Sequence, residues 1–255
     1  MLLVVDVGNT QTHFGAVREG VIVEQWRLTT DRSSSPDELA ATLRAMLELR
    51  GLGFADLDAS ALSSTVPKLA PAWAQATRRY LGHELLIVGP GVRTGMPIRL
   101  ESPRELGPDR LVNAVAAWTR LQEACIVVDF GTAITYDVVS AQGEYLGGII
   151  APGIEISLEA LAQRAARLWD VEIAEPRALI GKTTVDAVRS GIIYGFACQV
   201  DGIVGRLRDE LGVDAPAIAT GGLAYHLVPA FTATIEVVDD LLTLEGLRLI
   251  WELNR

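Results

Sequence analysis

A short pattern of an acid, a glycine and hydroxyl side chains occurs twice in the chain, once in each half. Near the start, the segment LVVDVGNT ends at Thr10, and near the middle the segment IVVDFGTAIT runs from Ile126 to Thr135. In both copies a β-branched apolar run leads to an aspartate, Asp6 or Asp129, and a glycine follows two residues later. The repetition, about half a chain apart, indicates one structural unit that is built twice.

The residue types in this pattern suit the binding of a phosphate and a cation. A buried strand delivers its terminal aspartate to the edge of a sheet, where a carboxylate can hold a cation or a metal-bound water. Gly8 and Gly131 allow backbone N–H groups to approach a phosphate closely, and Asn9, Thr10 and Thr132 add hydrogen-bonding side chains. One copy alone is more often a simple turn after a strand. Two copies in equivalent places favour two loops that hold one triphosphate from opposite sides.

Composition narrows the possible functions. The chain has 255 residues, a net charge of −10 and 49% hydrophobic residues, which fits one large domain or two of ordinary size. Lys and Arg form no run longer than a pair, so we expect no nucleic-acid partner. No apolar run approaches the roughly 18 residues that span a bilayer, and the short segment before Asp6 lacks a basic leader. We therefore expect a cytoplasmic protein without a membrane partner, whose anionic substrates need local positive charge or metal ions.

Apolar runs and turn residues predict the elements that position the first loop. The segment Ser35-Pro36-Asp37-Glu38 has the features of a helix start, with a capping serine, a proline in the first position and a glutamate three residues after the cap. Gly51 marks the predicted end of that helix. The other elements predicted for the first half are strands at Leu2–Asp6, His13–Val17, Val21–Arg27, Ala59–Ser63 and Glu84–Val88 and helices at Pro67–Tyr80 and Asp109–Gln122.

The second half repeats this opening of three strands. Strands are predicted at Cys125–Asp129, Ile134–Val139, Glu144–Gly148 and Ala217–Ala219, and helices at Ile154–Trp169, Thr184–Leu211 and Leu242–Leu253. Strands followed by helices, twice over, favour two stacked α/β domains. We place the boundary near residues 117–124, which gives an N-terminal domain of residues 1–117 and a C-terminal domain of residues 118–255.

A third glycine-containing segment follows the two loops. The segment AIATGGLA, from Ala217 to Ala224, is a strand that runs into paired glycines, where a base or ribose could approach the backbone; alone it is more often a plain strand-to-helix turn. Two phosphate loops followed by such a loop resemble the superfamily of actin, the heat-shock chaperone ATPases and the sugar kinases. The resemblance covers essentially the whole chain. It implies two ribonuclease-H-like domains with an ATP cleft between them.

Three further motifs narrow the resemblance to one family. They are GPDR at residues 107–110, GGIIAPG at residues 147–153 and GKTTVDAVRSG at residues 181–191. Together with DVGNT at residues 6–10 and DFGTA at residues 129–133, they are similar in order and spacing to type III pantothenate kinases.

The family resemblance implies roles for individual residues. Asp109 is the expected catalytic base. A purely structural role is the alternative for three of these residues: Asp109 could cap its helix, Arg110 could form a surface salt bridge, and Thr184 could cap its own helix. A helix N-terminus is expected to lower the pKa of Asp109. The residues expected to bind ATP are Asp6, Val7, Gly8, Asn9, Thr10, Gln11, Thr12, His13 and Thr132. The residues expected to bind the second substrate are Gly107, Pro108, Asp109, Arg110, Thr184 and Leu100.

The same resemblance implies cofactors and partners. Asp6 is expected to hold Mg²⁺, and Asp129 is expected to bind the monovalent cation, K⁺ or NH₄⁺, that the family needs. ATP and pantothenate are the implied substrates, and a homodimer is the implied assembly. The chain departs from the family at Leu100, because a tyrosine often stands nine residues before the motif aspartate. Leucine at this position keeps an apolar wall but cannot make the hydrogen bond of a phenolic hydroxyl.

The implied reaction is the ATP-dependent phosphorylation of pantothenate to 4′-phosphopantothenate, the first step toward coenzyme A. Two alternatives remain open at this point. The chain could be a kinase of the same superfamily for another small alcohol or acid, with the same ATP loops and a different ligand at residues 107–110. It could also be a non-catalytic relative that binds a nucleotide for regulation, although the full set of acids, Asp6, Asp109 and Asp129, disfavours this.

Overall fold

The computed structural model of the protein describes residues 1–164, 171–222 and 231–255. The strands in these ranges are β1 (Leu2–Val7), β2 (Gln11–Arg18), β3 (Val21–Thr29), β4 (Ala59–Ser64), β5 (Leu85–Ile87), β6 (Cys125–Phe130), β7 (Ala133–Val139), β8 (Tyr145–Pro152), β9 (Ala217–Thr220) and β10 (Val237–Val238). The helices are α1 (Pro36–Glu48), α2 (Leu69–Ala76), α3 (Pro108–Leu121), α4 (Ile154–Arg164), α5 (Thr184–Leu211) and α6 (Leu242–Asn254).

The chain divides into two compact units. Unit 1 comprises residues 1–97, 101–116 and 241–255, and unit 2 comprises residues 98–100 and 117–240. Helix α6 therefore belongs with the first sheet, where it contacts β1, β2 and β4. The expected division of the chain into domains at residues 117 and 118 stays a prediction.

Unit 1 is built on a five-stranded sheet in the order β3-β2-β1-β4-β5. Strand β1 pairs antiparallel with β2 and parallel with β4. One face of this sheet presents Leu3, Val5, Val7 and Phe14 to α1 and α2, in a core that includes Leu43, Leu47 and Trp73. Because side chains alternate along a strand, Gly15 points to the other face, where it lies close to Leu244 of α6.

Unit 2 repeats this arrangement with the order β10-β9-β6-β7-β8. Strand β6 pairs antiparallel with β7 and parallel with β9, as β1 does with β2 and β4. The core of unit 2 contains Ile126, Val128 and Tyr136 from the sheet and Ile193 and Val200 from α5. The predicted α/β class and the duplicated three-strand opening are confirmed.

Most element boundaries agree with the sequence-based predictions, and the differences have local causes. Helix α1 begins after Ser35, whose hydroxyl accepts the N–H of Glu38 in a capping box. The predicted helix at residues 67–80 is shorter, because α2 gives way to a π-helical turn at Thr77–Leu81. Strand β8 continues to Pro152 instead of ending at Gly148. The predicted helix from Ile154 is described as far as Arg164, and its remainder lies outside the described residues.

Strand β10 was not predicted, since its two residues carry no periodic pattern. Within the described ranges, none of the helices combines the length and the apolar character that a bilayer span requires.

Candidate active site

The first loop of unit 1 is a tight turn between β1 and β2. The N–H of Gly8 donates to the carbonyl oxygen of Gln11 at 2.9 Å, which closes the turn. The side chains of Asn9, Thr10 and Gln11 are exposed at its tip. These three of the predicted ATP-binding residues are therefore accessible to a ligand in unit 1.

The next residues of the predicted ATP-binding run point inward. Val7 is fully buried in the core. Thr12 and His13 are 7% and 6% exposed, and the side chain of each lies within hydrogen-bonding distance of another side chain. The hydroxyl of Thr12 lies 2.9 Å from that of Thr30, and His13 Nε2 lies 2.7 Å from Gln25 Oε1. Their side chains support the hairpin from within.

Two residues after β3, which were not predicted from the sequence, hold the first loop. Thr30 donates its hydroxyl to the carbonyl oxygen of Gly8 at 2.8 Å, and its N–H to that of Thr10 at 2.8 Å. Arg32 Nη2 donates to the side-chain oxygen of Asn9 at 3.1 Å. The register of the β2–β3 hairpin could have predicted these two contacts. Gln11 pairs with Thr29, so the residues that follow Thr29 must run beside the first loop, which precedes Gln11. Arg32 places a positive charge beside the first loop, and such a charge would favour a phosphate there.

Asp6 lies at the carboxyl end of β1, as predicted. Its neighbours in the sheet are His13 on β2 and Ser63 on β4. The residue is half-buried, and its Oδ1 atom is buried. A carboxylate at a strand end suits Mg²⁺, which usually takes one or two protein carboxylates and completes its shell with phosphate oxygens and water. Asp6 fits that role.

Asp109 is the second residue of α3, where its carboxylate accepts hydrogen bonds from its own N–H and from that of Arg110. Burial raises the pKa of this carboxyl above the ordinary value of 3.8, outweighing those hydrogen bonds and the Arg110 guanidinium, which lower it. The expectation of a lowered pKa is thus wrong, because desolvation exceeds the effect of the helix end. A raised pKa makes Asp109 a stronger base.

A steric constraint explains why the first residue of the GPDR motif is a glycine. A β-carbon on Gly107 would lie 2.5 Å from Oδ1 of Asp109, so any larger residue would displace the carboxylate. Farther along α3, Asn113 accepts the hydroxyl of Thr243 at 2.7 Å in a buried contact with α6. Helix α6 therefore helps to fix the helix that carries Asp109.

The second loop, in unit 2, follows β6. Asp129 is half-buried at the end of that strand, while Thr132 is exposed at the tip of the loop. The N–H of Gly131 donates to the carbonyl oxygen of Ala133 at 3.1 Å, and the N–H of Gly153 donates to that of Thr132 at 3.1 Å. The GGIIAPG segment thus ends against the second loop.

The third segment also contacts the second loop. Gly221 has φ of +94°, and a β-carbon there would lie 2.5 Å from Asp129 Oδ1. Gly221 is therefore required by its left-handed backbone and by the nearby carboxylate. The sequence alone predicted a different reason, the approach of a base or ribose. The rest of that segment, Leu223 and Ala224, lies outside the described residues.

Thr184 is the first residue of α5, and it is exposed. The cap of this helix is Thr183, whose hydroxyl accepts the N–H of Asp186 at 3.1 Å. The interpretation of Thr184 as a helix cap is therefore excluded, which leaves its side chain available for a ligand.

A buried polar network, which was not predicted from the sequence, lies beside Asp129 in unit 2. Asp137 on β7 is fully buried and accepts the hydroxyl of Tyr145 at 2.6 Å and that of Thr135 at 3.2 Å. Thr135 is the direct cross-strand neighbour of Asp129. The alternation of apolar and polar residues in ITYDVV could have revealed an acid on a buried strand, but not its partner eight residues later.

This network continues to the segment that carries Leu100. The N–H of Arg99 donates to the carbonyl oxygen of Tyr145 at 2.8 Å. Leu100 is half-buried, and its Cδ2 atom would lie 3.5 Å from a β-carbon on Gly147. Leu100 thus lies at the edge strand β8 of the second sheet.

The surroundings of Asp129 contain oxygen atoms of the kind that bind monovalent cations. The carboxylate lies close to the backbone of the second loop, and hard cations prefer carboxylate and carbonyl oxygens. Among residues 1–164, 171–222 and 231–255, no group of three or more His, Cys, Asp or Glu side chains could hold a metal by itself. A cation at either aspartate would therefore need oxygen ligands from the backbone, water or a substrate.

Comparisons with known proteins identify the family. The family model described as type III pantothenate kinase matches residues 2–206 of the chain. The type III pantothenate kinase of Geotalea uraniireducens (strain Rf4) is 49% identical over 256 residues, which cover 100% of this chain and 99% of the relative. That of Moorella thermoacetica is 47% identical over 254 residues, which cover 100% of both chains.

Solved structures show the same fold at low sequence identity. The ROK hexokinase from Thermus thermophilus has a TM-score of 0.53 and 13% identity, with 99% of both chains covered. The inorganic polyphosphate/ATP-glucomannokinase from Arthrobacter sp. strain KM has a TM-score of 0.51 and 15% identity, with 100% of this chain and 99% of that chain covered. These likenesses concern the fold alone, and the family follows from the full-length sequence matches: the chain belongs to the type III pantothenate kinase family.

Proposed function

We propose that the protein transfers the γ-phosphate of ATP to the primary hydroxyl of pantothenate, which gives 4′-phosphopantothenate and ADP. The observation that carries this proposal is identity of 49% to a type III pantothenate kinase over essentially the full length of both chains. The reaction is the first step of coenzyme A biosynthesis.

In this proposal Asp109 orients the hydroxyl of pantothenate and accepts its proton. The position of the carboxylate at the start of α3 and its raised pKa support that role. Phosphoryl transfer has a loose transition state, in which positioning and charge stabilisation contribute more than early proton removal. A partly desolvated carboxylate held by two N–H groups meets the positioning requirement.

The phosphates of ATP are bound by the two loops. In unit 1 the exposed tip of the first loop offers Asn9 and Thr10, with Arg32 beside them. In unit 2 Thr132 offers a hydroxyl at the corresponding place. Mg²⁺, when bound, neutralises charge on the transferring phosphate. Asp6 would hold Mg²⁺, and Asp129 would be a ligand of K⁺ or NH₄⁺.

The other predicted substrate-binding residues, Arg110, Thr184 and Leu100, bind pantothenate. Arg110, adjacent to the base, pairs with the carboxylate or the amide of the substrate. Thr184 offers an exposed hydroxyl at the start of α5, and Leu100 offers apolar surface in place of the usual tyrosine. The family resemblance implies that the protein acts as a homodimer. We also propose that it acts in the cytoplasm.

Release of ADP, measured with pantothenate and with a panel of sugars and short hydroxy acids, tests this function. We expect turnover with pantothenate to exceed that with every other acceptor. Preference for another alcohol would identify a superfamily kinase of different specificity. Nucleotide binding without ADP release from any acceptor would identify a regulatory protein.

A further inference from the structure

Unit 1 contains a cavity that none of the proposed catalytic steps uses. Its volume is about 330 Å³, which is within the range of small-molecule sites. It lies between the face of the sheet formed by β2 and β3 and the helices α1 and α2. Its lining residues include Thr12, Leu28, Asp31, Glu38, Leu39 and Thr42.

The cavity is separate from the Asp6 site. Thr12 and Phe14 line it, and both point to the face of β2 that packs against α1 and α2. Asp6 pairs with His13, the residue between them, so the Asp6 side chain points to the opposite face of the sheet. An occupant of the cavity would therefore be screened from Asp6 by the sheet itself.

The cavity has an apolar interior and an acidic mouth. Leu28 and Leu39, which are partly exposed, give the wall its accessible apolar surface, whereas Phe14 and Trp73 are buried. Asp31, Glu38 and Thr42 are exposed at the mouth. This combination suits a molecule with an apolar body and a charged end that remains near solvent.

The two acids at the mouth are held in place and keep one oxygen each available. Asp31 Oδ1 accepts the N–H and the hydroxyl of Ser33 at 2.8 and 2.6 Å. Glu38 Oε2 accepts the N–H and the hydroxyl of Ser35 at 2.7 and 2.8 Å. The second oxygen of each carboxylate has no hydrogen bond, and neither acid has an ion-pair partner, within the part of the chain that the structure describes.

These same hydrogen bonds lower the pKa of both acids. For Asp31 the hydroxyl of Ser33 is the main cause, and for Glu38 the N–H of Ser35 is the main cause. Both groups are therefore anionic at neutral pH. The lining contains no cationic side chain that would attract an anion.

We propose that this cavity binds a small organic cation, an alkylammonium group on an aromatic or branched apolar body. The apolar body packs against Leu28 and Leu39, and the ammonium donates hydrogen bonds to Asp31 and Glu38. Thr12 is part of the wall, and its hydroxyl contacts Thr30, which in turn donates to Gly8 of the first loop. An occupant would thus lie against the support of the phosphate loop.

Calorimetric titration with three probes of the same shape tests the charge preference. The probes are 2-phenylethylammonium, neutral 2-phenylethanol and anionic 3-phenylpropionate. We expect saturable binding of the ammonium, weaker binding of the alcohol and no binding of the carboxylate. Failure of the ammonium to bind at about 10 mM, the weak end of fragment affinity, or equal binding of the carboxylate, would overturn the proposal.

Variants locate the binding to this cavity. Thr42→Tyr places a ring at the mouth and is expected to abolish binding, whereas Ala45→Tyr adds the same ring at another exposed position of α1, outside the lining. The double variant Asp31→Asn, Glu38→Gln retains hydrogen-bonding oxygens for both turns and should weaken ammonium binding about tenfold or more. Unchanged affinity in folded Thr42→Tyr, or in the double variant, would contradict the proposal. These titrations need no catalytic turnover, so their outcome is independent of the proposed kinase reaction.

Discussion

Gly221 lies directly against Asp129: a β-carbon on Gly221 would lie 2.5 Å from Oδ1 of that carboxylate and 2.7 Å from the backbone nitrogen of Phe130. This contact joins the third glycine segment to the second loop within unit 2. The position of the Asp129 carboxylate therefore depends on the absence of a side chain at residue 221.

Gly221→Ala should lower the free energy of unfolding by roughly 1–3 kcal/mol, because alanine is strained at a φ of +94° and its methyl group would collide with Asp129. Gly202→Ala is the control, since Gly202 lies within α5 and its β-carbon would meet nothing within 4 Å. Helical alanine at that position should stabilise by about 0.5–1 kcal/mol. Urea unfolding measures both. Equal stability of wild type and Gly221→Ala would contradict the steric account.

Tyr145→Phe should destabilise the protein by about 1–3 kcal/mol, because the buried Asp137 loses the hydroxyl that donates to it. Tyr136→Phe is the matched control in the same unit. Tyr136 is equally buried, but its hydroxyl has no hydrogen-bond partner among the described residues, so its removal should be neutral or stabilising. Urea unfolding of the two variants separates the hydrogen bond from the packing. A larger loss for Tyr136→Phe would refute this assignment.

Activity should rise when K⁺ or NH₄⁺ replaces Na⁺ at matched ionic strength, if Asp129 is a ligand of the monovalent cation. Asp129→Ala should lose this response. The initial rate of ADP release with pantothenate, at varied cation concentration, measures it. Equal rates for the wild type in sodium and potassium buffers would count against a potassium site.

Asp109→Asn should raise the stability of the folded protein at neutral pH. Because burial raises the pKa of Asp109 above 3.8, the folded protein retains a proton that the unfolded chain releases. The free energy of unfolding of the wild type therefore falls as the pH rises through the unfolded-state pKa of Asp109. The decrease reaches its full size above the folded-state pKa. Asparagine carries no charge and avoids this cost.

Urea unfolding at pH 7 and at successively lower pH measures the effect. The advantage of Asp109→Asn should shrink as the pH approaches the ordinary carboxyl value of 3.8. A variant that is less stable than the wild type at pH 7, by a margin that grows with pH, would show that the charged carboxylate is stabilising.

The strands and the two loops could be predicted from sequence because their signals are local. Asp6 and Asp129 each end a β-branched run, and the register of the following hairpin depends on that run. Ser35 and Glu38 form the predicted capping box, three residues apart. Such patterns depend on neighbours in the chain.

Contacts between distant segments could not be predicted in this way. The proximity of Gly221 to Asp129 depends on the pairing of β6 with β9, and that of Thr243 to Asn113 on the packing of α6 against α3. The pKa of Asp109 was predicted in the wrong direction, because its burial comes from tertiary packing, whereas the helix end is visible in the sequence.

The turnover of Asp109→Asn with pantothenate tests the central claim most directly. We expect a loss of roughly 10²-fold or more, the usual scale for a positioned acid–base group, with ATP binding retained. Glu105→Gln is the control, because Glu105 is an exposed acid four residues earlier in the same unit, and its turnover should match the wild type. Near-normal turnover of Asp109→Asn would contradict the assignment of Asp109 as the base.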